Sequence, residues 1–465
     1  MTGATAGSHA QVLSAFIAGS QSHSAPAEVI DAARHCLADW LAVAIGARDE
    51  EAGRVVRATV AGWNSHGRST VLFGRPAAAP MAALANGTLA HCLDFDDTYV
   101  PGITHTSAPV WAAVLAAGQA HDADARMMLE AFVTGFEVSA RAGFGLGQGL
   151  TSRGLHSTGV FGRIGAAAAT AKLLGLDAGR AAHALATAAT QASGLAGSFG
   201  TMAKPFHAGK AAMDGVLSAE LAASGFVGAP SLLEPGGLDR ALIQDGSLAF
   251  KTPEFNGWEI LNNSFKPYAA CHLVHPAVDA ALASGIAPAR IKRVRARVSP
   301  LAMQMTGNVD GRPQTPLAAK FDIRYCIALA LHGRPVSAAD FREPWVADAG
   351  VVETARRIEP FADASTGFAT AELEIEQDAG EPKSILVPHA KGDPANPVRW
   401  DDMWSKFDGL VAPVLGAETR ALFEQARNFG KDAGHGGTTL ADLSRTLEAL
   451  RESAPNYYPA TQASV

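Results

Sequence analysis

The stretch Gly165-Ala-Ala-Ala-Ala-Thr-Ala171, inside a helical run from Gly159 to Leu174, decides how the chain is read. Residues this small let neighbouring helix backbones approach closely, which favours a compact bundle over a solenoid with a strict repeat. Similar Ala-rich patterns cover Pro80 to Leu93, Ser107 to Ala120, Ala125 to Ala142 and Ala178 to Ala192. Towards the N-terminus, Ser24 can cap a helix and Pro26 fits its first turn. Ile30, Leu37, Trp40, Leu41 and Ala44 then recur at helical spacing as far as Gly46. From about Ala25 to Gly228 the chain reads as successive helices punctuated by Gly and Pro.

Beyond Lys266 the texture changes. Val294, Ala296 and Val298 alternate with Arg293, Arg295 and Arg297, and Leu373 and Ile375 alternate with Glu372, Glu374 and Glu376. These are half-exposed strands whose outward rows carry opposite charge, so they are predicted to be antiparallel neighbours with Arg–Glu pairs on the wet face. Helical stretches near Pro316 to His332 and Ala338 to Arg357 lie between them. After Trp400, the segments Asp401 to Leu410, Glu418 to Asn428 and Leu440 to Arg451 look helical again, whereas Ser453 to Val465 lacks an apolar period and is expected to be mobile. The expected fold is mainly α: a large, discontinuous all-helical domain (1–265 and 398–465) interrupted by a smaller inserted α+β lid domain (266–397).

Two domains also follow from length, because 465 residues exceed what one core of roughly 250–300 residues holds. Apolar residues make up 48% and charged residues 18%, a shortfall of charge that hints at a subunit interface. A net charge of −7 gives no global attraction to nucleic acid or to an anionic membrane, so an anionic substrate must be held by local cations. The four cysteines, Cys36, Cys92, Cys271 and Cys326, form no C-x-x-C pair, which argues against a zinc knuckle or an iron–sulfur site. Met1 to Val12 lacks the features of a signal peptide, and no segment has about 18 uninterrupted apolar residues. A cytoplasmic location is expected.

Four segments carry candidate chemistry. In Asp94-Phe-Asp-Asp-Thr98 three carboxylates within four residues repel one another, which raises at least one pKa unless cations or amides compensate. His105 follows closely. An arbitrary acidic triplet is more often a solvated loop, but apolar helices flank this one on both sides. His156, in Leu155-His-Ser-Thr-Gly159, immediately precedes a helix predicted to start near Val160, where the positive end of the dipole suits a neutral general base. A lone histidine there is otherwise a structural hydrogen-bonder. Gly200-Thr-Met-Ala-Lys-Pro-Phe-His-Ala-Gly-Lys210 puts two lysines and a histidine on a Gly-bounded turn suited to an anion. It lacks the Walker spacing, and Gly143 to Gly149 follows a helix rather than a strand, so neither nucleotide motif holds. In Lys266-Pro-Tyr-Ala-Ala-Cys-His-Leu-Val-His-Pro276, His272 and His275 have no H-E-x-x-H partner, and acid–base or carboxylate-binding roles suit them better than a metal.

Taken together and in this order, these segments resemble the MmgE/PrpD family of 2-methylcitrate dehydratase-like proteins. The similarity runs from about Val29 through Tyr325 and includes Ala318-Ala-Lys-Phe321. The resemblance implies a helical domain with a smaller lid, a homodimer, and a site in the interdomain cleft, closed by lid motion, that uses neither metal nor organic cofactor. It further implies proton transfer beside a carboxylate of a small polycarboxylate. Asp94, Thr98, His105, His156, Lys204 and His275 match the family's site positions, with Tyr325 added. His105 and His156 are expected to exchange protons, oriented by Asp94, while Lys204 and a later histidine hold carboxylates. Thr98, Lys266, His272, His275 and Tyr325 complete the binding set. Many relatives have His-Pro-Ser and Cys-Arg where this chain has His105-Thr-Ser107 and Cys271-His272, so a guanidinium for a third carboxylate is missing. Dehydration is placed first, with decarboxylation and epimerisation as alternatives. A small-molecule-binding dimer and a metal hydrolase are the readings outside this chemistry.

Overall fold

Every residue of the helix Ser157–Leu173 is buried. A helix without a wet face must be surrounded by others, and in the computed structural model it lies at the centre of a bundle. The structure describes residues 8–19, 25–144, 146–243, 250–251, 253–342, 344, 346, 348–432, 434 and 436–453. The capping role given to Ser24 and the tail from residue 454 lie outside them. Among the described residues the protein is mainly α-helical with one four-stranded sheet. It divides into two compact units, Met1–Asn263 with Trp404–Val465, and Ser264–Met403. No helix among the described residues is long and apolar enough to cross a membrane.

The first unit contains α1 (His9–Gly19), α2 (Ala27–Gly46), α3 (Glu51–Gly62), α4 (Ala79–His91), α5 (Ser107–Ala120), α6 (Ala125–Gly143), α7 (Gly147–Ser152), α8 (Ser157–Leu173), α9 (Ala178–Ala189) and α10 (Ala203–Ala223). Local chemistry starts several of them: the Asp124 side chain accepts from the Met127 N–H at 2.7 Å and that of Asp177 from the Arg180 N–H at 2.9 Å. Three starts differ from the sequence reading. Pro26 stands at the N-cap of α2 rather than in its first turn. The helix carrying the Ala run begins at Ser157, so His156 is its N-cap. The expected turn up to Lys210 ends at Met202, and the rest is helix, because Pro205 sits in the first turn, where a missing N–H costs nothing.

Small residues set the crossings. A Cβ at Gly165 of α8 would meet the Gly135 carbonyl oxygen of α6 at 2.7 Å, and a Cβ at Gly209 of α10 would meet Thr88 Oγ1 of α4 at 2.2 Å. The backbones touch where any larger residue would hold them apart. The Gly209 contact draws the N-terminal half of α10 against the C-terminal half of α4. Residues from Trp404 onward join the same unit: Arg34 donates to the Phe429 carbonyl at 2.8 Å, and Lys406 reaches Asp39 at 2.5 Å.

The second unit is built on β1 (Ile291–Val298), β2 (Ile358–Ala362), β3 (Ala371–Gln377) and β4 (Lys383–Val387), in the order β2-β1-β3-β4. β1 runs parallel to β2 and antiparallel to β3. Arg293, Arg295 and Arg297 stand opposite Glu376, Glu374 and Glu372, as the charge rows predicted. Arg295 donates to Glu374 at 2.9 Å and Arg297 to Glu372 at 3.0 Å. Val294, Ala296, Leu373 and Ile375 face the other way and are fully buried, beneath the helices His275–Ser284 and Ile323–Leu331.

Candidate active site

Four side chains singled out from sequence, Asp94, His105, His156 and Lys204, lie in the first unit. Asp94 follows the end of α4 with φ +51°, a left-handed conformation that Asp tolerates better than most residues. The loop beyond it is pinned by backbone hydrogen bonds between Tyr99 and Thr104 at 2.8 and 3.2 Å. The His105 N–H then donates to Thr158 Oγ1 at 3.0 Å, tying the loop to the first turn of α8. Lys204, from the first turn of α10, places Nζ 2.8 Å from Asp94 Oδ1, which stands 3.9 Å from His105 Nε2. Lys210 does not join it. It pairs instead with Asp214, which also accepts from buried Arg163 at 2.9 Å.

His105 Nδ1 lies 3.0 Å from the carbonyl oxygen of Asp97 and 3.4 Å from Asp96 Oδ2. A carbonyl only accepts, so Nδ1 carries the proton and, in the neutral ring, Nε2 the lone pair. The groups behind His105 are therefore Asp96 and the Asp97 carbonyl, with Asp94 on the Nε2 side. Asp96 is shared: its Oδ2 is also 2.8 Å from Nδ1 of His91, at the end of α4. Burial alone would raise the Asp96 carboxyl, but the two imidazoles outweigh it and hold the group well below the usual carboxylate range. Burial, reinforced by Lys204, pushes His91 down to about 4, so the ring is neutral at pH 7. Its Nε2 is buried without a hydrogen-bond partner among the described residues.

His156 stacks on His91, with ring centroids 5.5 Å apart, and meets the edge of Phe199 at 5.0 Å. Its Nδ1 lies 3.2 Å from Nδ1 of His207 on α10. Burial first, then the nearby His91 and Lys204, keep its pKa well below the ordinary histidine value. A neutral imidazole was expected at this position, but its main cause is desolvation rather than the helix terminus. Thr98 is buried, and its hydroxyl has no partner among the described residues.

Beneath the loop lies a second polar layer that the sequence did not disclose. Asp97 is fully buried, accepts from Ser107 and from Asn263 Nδ2, and pairs directly with no cation among the described residues. Burial, then the neighbouring Asp39, push it up to about 7. Lys406 neutralises Asp39 and donates to the Phe95 carbonyl at 2.6 Å, anchoring the loop from below.

Lys266, His272, His275 and Tyr325 belong to the second unit, where all four are buried. His275 donates from Nε2 to the Ala270 carbonyl at 3.2 Å and packs against His272, with ring centroids 4.9 Å apart. Tyr268 meets the His275 ring edge-on at 5.2 Å. Tyr325 lies in the helix Ile323–Leu331, started by the Asp322 side chain, and burial raises its pKa.

His91, Asp96 and His105 each offer an atom within 4.8 Å of the others and form a set that could hold a metal ion. The donor chemistry fits hydrogen bonding better. Asp96 lies at the protonated Nδ1 edge of both rings, whereas a metal would need the Nε2 lone pairs.

The helical bundle thus gathers histidines, a lysine and carboxylates, side-chain types able to exchange protons and to hold an anion, at neighbouring helix ends. Residues 11–251 match the MmgE/PrpD N-terminal domain and residues 268–428 the MmgE/PrpD C-terminal domain, and the chain belongs to the MmgE/PrpD family. It is 26% identical over 460 residues to a cis-aconitate decarboxylase of Aspergillus terreus, covering 91% of this chain and 92% of that protein. The human cis-aconitate decarboxylase is 33% identical over 174 residues, 36% of each chain. The cis-aconitate decarboxylase-like protein oryM of Aspergillus oryzae is 30% identical over 247 residues, 50% of this chain and 51% of that protein. By these names the relatives are lyases.

Proposed function

We propose that the protein is a lyase that acts on a small di- or tricarboxylate by proton transfer, without a metal or organic cofactor, and that its reaction is decarboxylation of an unsaturated tricarboxylate of the cis-aconitate type. The observation that carries this reading is Lys204 Nζ, 2.8 Å from Asp94 and within the same cluster as the neutral imidazole of His156. The ammonium holds a substrate carboxylate, helped by the Thr98 hydroxyl, and stabilises the charge that grows on the carbon skeleton as CO₂ departs. An imidazole then supplies the proton to that carbon. Decarboxylation takes precedence over the dehydration favoured by sequence because the relatives above are named for it.

Dehydration is the second reading. It needs a base and an acid with separate settings, and His105, backed by Asp96, and His156, backed by His207, provide two such imidazoles. Lys266, His272, His275 and Tyr325 are proposed as further carboxylate-binding residues, and His275→Ala is expected to raise KM more than it lowers kcat. A cytoplasmic homodimer belongs to the same proposal. Sedimentation of purified protein at twice the monomer mass supports it, and a monomer of full activity refutes that part.

The deciding experiment is NMR in D₂O with cis-aconitate, citrate, 2-methylcitrate and iminodisuccinate, repeated with His156→Ala and Lys204→Ala. Loss of CO₂ from cis-aconitate that disappears in both variants supports decarboxylation, and conversion of 2-methylcitrate alone transfers the assignment to the dehydratase reading. Tight binding with neither conversion nor deuterium incorporation would make the protein a small-molecule-binding dimer.

A further inference from the structure

We propose that His207 is a proton relay for His156: the two imidazoles face each other through Nδ1 atoms 3.2 Å apart, and His207 connects the buried ring to solvent. This rests on the reading that His156 exchanges a proton with the substrate.

A contact between two ring nitrogens is a hydrogen bond only when one carries a proton and the other a lone pair. With both rings neutral, His156 and His207 therefore hold opposite tautomers, and the Nε2 of one is protonated while that of the other is not. His156 is 5% exposed, stacked on His91 and set edge-on against Phe199. Burial and the surrounding His91 and Lys204 disfavour its cation, and loss of a proton from a neutral imidazole would leave an imidazolate. Such a ring works as an acid only if a second proton reaches Nδ1 as the first leaves Nε2.

His207 is placed to provide that proton. It is only half-buried and sits on α10, which the Gly209 contact holds against α4. Gly194 lets the rings meet. Its φ is +124°, and a Cβ there would meet Cγ and Nδ1 of His207 at 3.3 Å and Cβ of His156 at 3.5 Å. The Gly194 carbonyl also accepts from the His156 N–H at 2.9 Å, fixing the ring at the start of α8.

The protons balance. His156 Nε2–H passes to the substrate carbon and forms the new C–H bond with the electron pair left by departing CO₂. His207 Nδ1–H moves to His156 Nδ1, and water supplies a proton to His207 Nε2, so one proton travels from solvent to product. After product leaves, water at the open site protonates His156 Nε2, the Nδ1 proton returns to His207, and His207 Nε2 releases one to solvent, restoring the starting tautomers.

Two measurements test the relay. Two-bond ¹H–¹⁵N spectra of the histidine-labelled free protein at neutral pH are expected to show opposite neutral tautomers on His156 and His207, and the same tautomer on both rings would overturn the proposal whatever the substrate. Turnover of cis-aconitate is expected to fall roughly 10²-fold in His207→Ala and to recover in proportion to added 4-methylimidazole, with unchanged thermal melting. His207→Asn, which can hydrogen-bond but not relay, is expected to be as slow and open to the same rescue. Gly194→Ala, which pushes the rings apart, serves as a second variant and should be slowed with both histidines intact. Full activity in His207→Ala, or a loss that imidazole does not restore, would reduce His207 to a structural contact. If the wild-type protein converts none of the acids, the acid–base reading fails, and the tautomers alone decide whether the rings are paired.

Discussion

Lys204 Nζ lies 2.8 Å from Asp94 Oδ1, and Asp94 is held there with φ +51°. A non-glycine residue in that conformation stores of order 1 kcal/mol of strain, retained here where the carboxylate meets the cation. Lys204→Ala is expected to lower kcat/KM by about 10²–10³-fold. Asp94→Asn, which tolerates the same backbone, is expected to keep thermal stability while losing activity. Steady-state kinetics beside a melting curve decides, and an Asp94→Asn protein as active as wild type would remove Asp94 from the chemistry.

Asp96 joins His91 and His105 by accepting at both Nδ1 edges. Asp96→Asn presents an amide that can donate to one ring, freeing that ring to adopt the other tautomer. Turnover is expected to drop about 10²–10⁴-fold with little change in KM. His91→Gln, which cannot reproduce both ring edges, should lower kcat in the same direction. An unchanged kcat in both variants would show that His105 needs no carboxylate behind it.

Asp97 is buried among Ser107, Asn263, Asp39 and, beyond Asp39, Lys406, and it titrates near 7 in the folded chain. Its folded value is raised, so the unfolded chain releases this proton first as pH climbs. The group therefore weakens the fold progressively between about pH 4 and 7. Asp97→Asn removes that ionisation and is expected to gain stability over wild type across this window, by about 2–4 kcal/mol at pH 7. Urea unfolding at pH 4.5 and 7.5 checks it, and an equal difference at both values would contradict the titration.

Gly209→Ala puts a methyl group 2.2 Å from Thr88 Oγ1 and 2.3 Å from the Leu84 carbonyl. Two helix backbones must separate, which costs about 1–3 kcal/mol. Activity should fall further than stability, because Lys204 and His207 move with α10 while His91 stays on α4. A variant with normal unfolding and normal turnover would place the tight crossing elsewhere.

The Asp96 triad also gives a metal test. Extended dialysis against a chelator is expected to leave turnover unchanged, because Asp96 faces protonated nitrogens. Stoichiometric zinc in purified protein, lost together with activity, would overturn the hydrogen-bond assignment and bring back the metal-hydrolase reading.

Much of the local structure was legible because it depends on short-range pattern. The span Ser107–Ala120 follows directly from composition and spacing. The pairing of the Arg row with the Glu row came from charge alternation, since a strand with one buried face has one permitted register. His91 and the bridging place of Asp96 were not legible, and His207 was legible only as part of a turn suited to an anion, not as the partner of His156. A signal existed in His91 lying three residues before Asp94 at a helix end, and in His207 lying three after Lys204, but neither spacing reveals a partner.

The sequence by itself determined that this is an Ala-rich helical protein with a sheet-bearing segment and a set of histidines, lysine and acids suited to proton transfer. These properties live in propensity, periodicity and residue type, all of which act within a few residues. The tertiary structure alone decided that His156 meets His207, 51 positions away, and that Lys406 anchors Asp39 across 367. Such contacts depend on where helices cross, which the missing side chains at Gly87, Gly135, Gly165 and Gly209 fix only once the whole bundle has assembled.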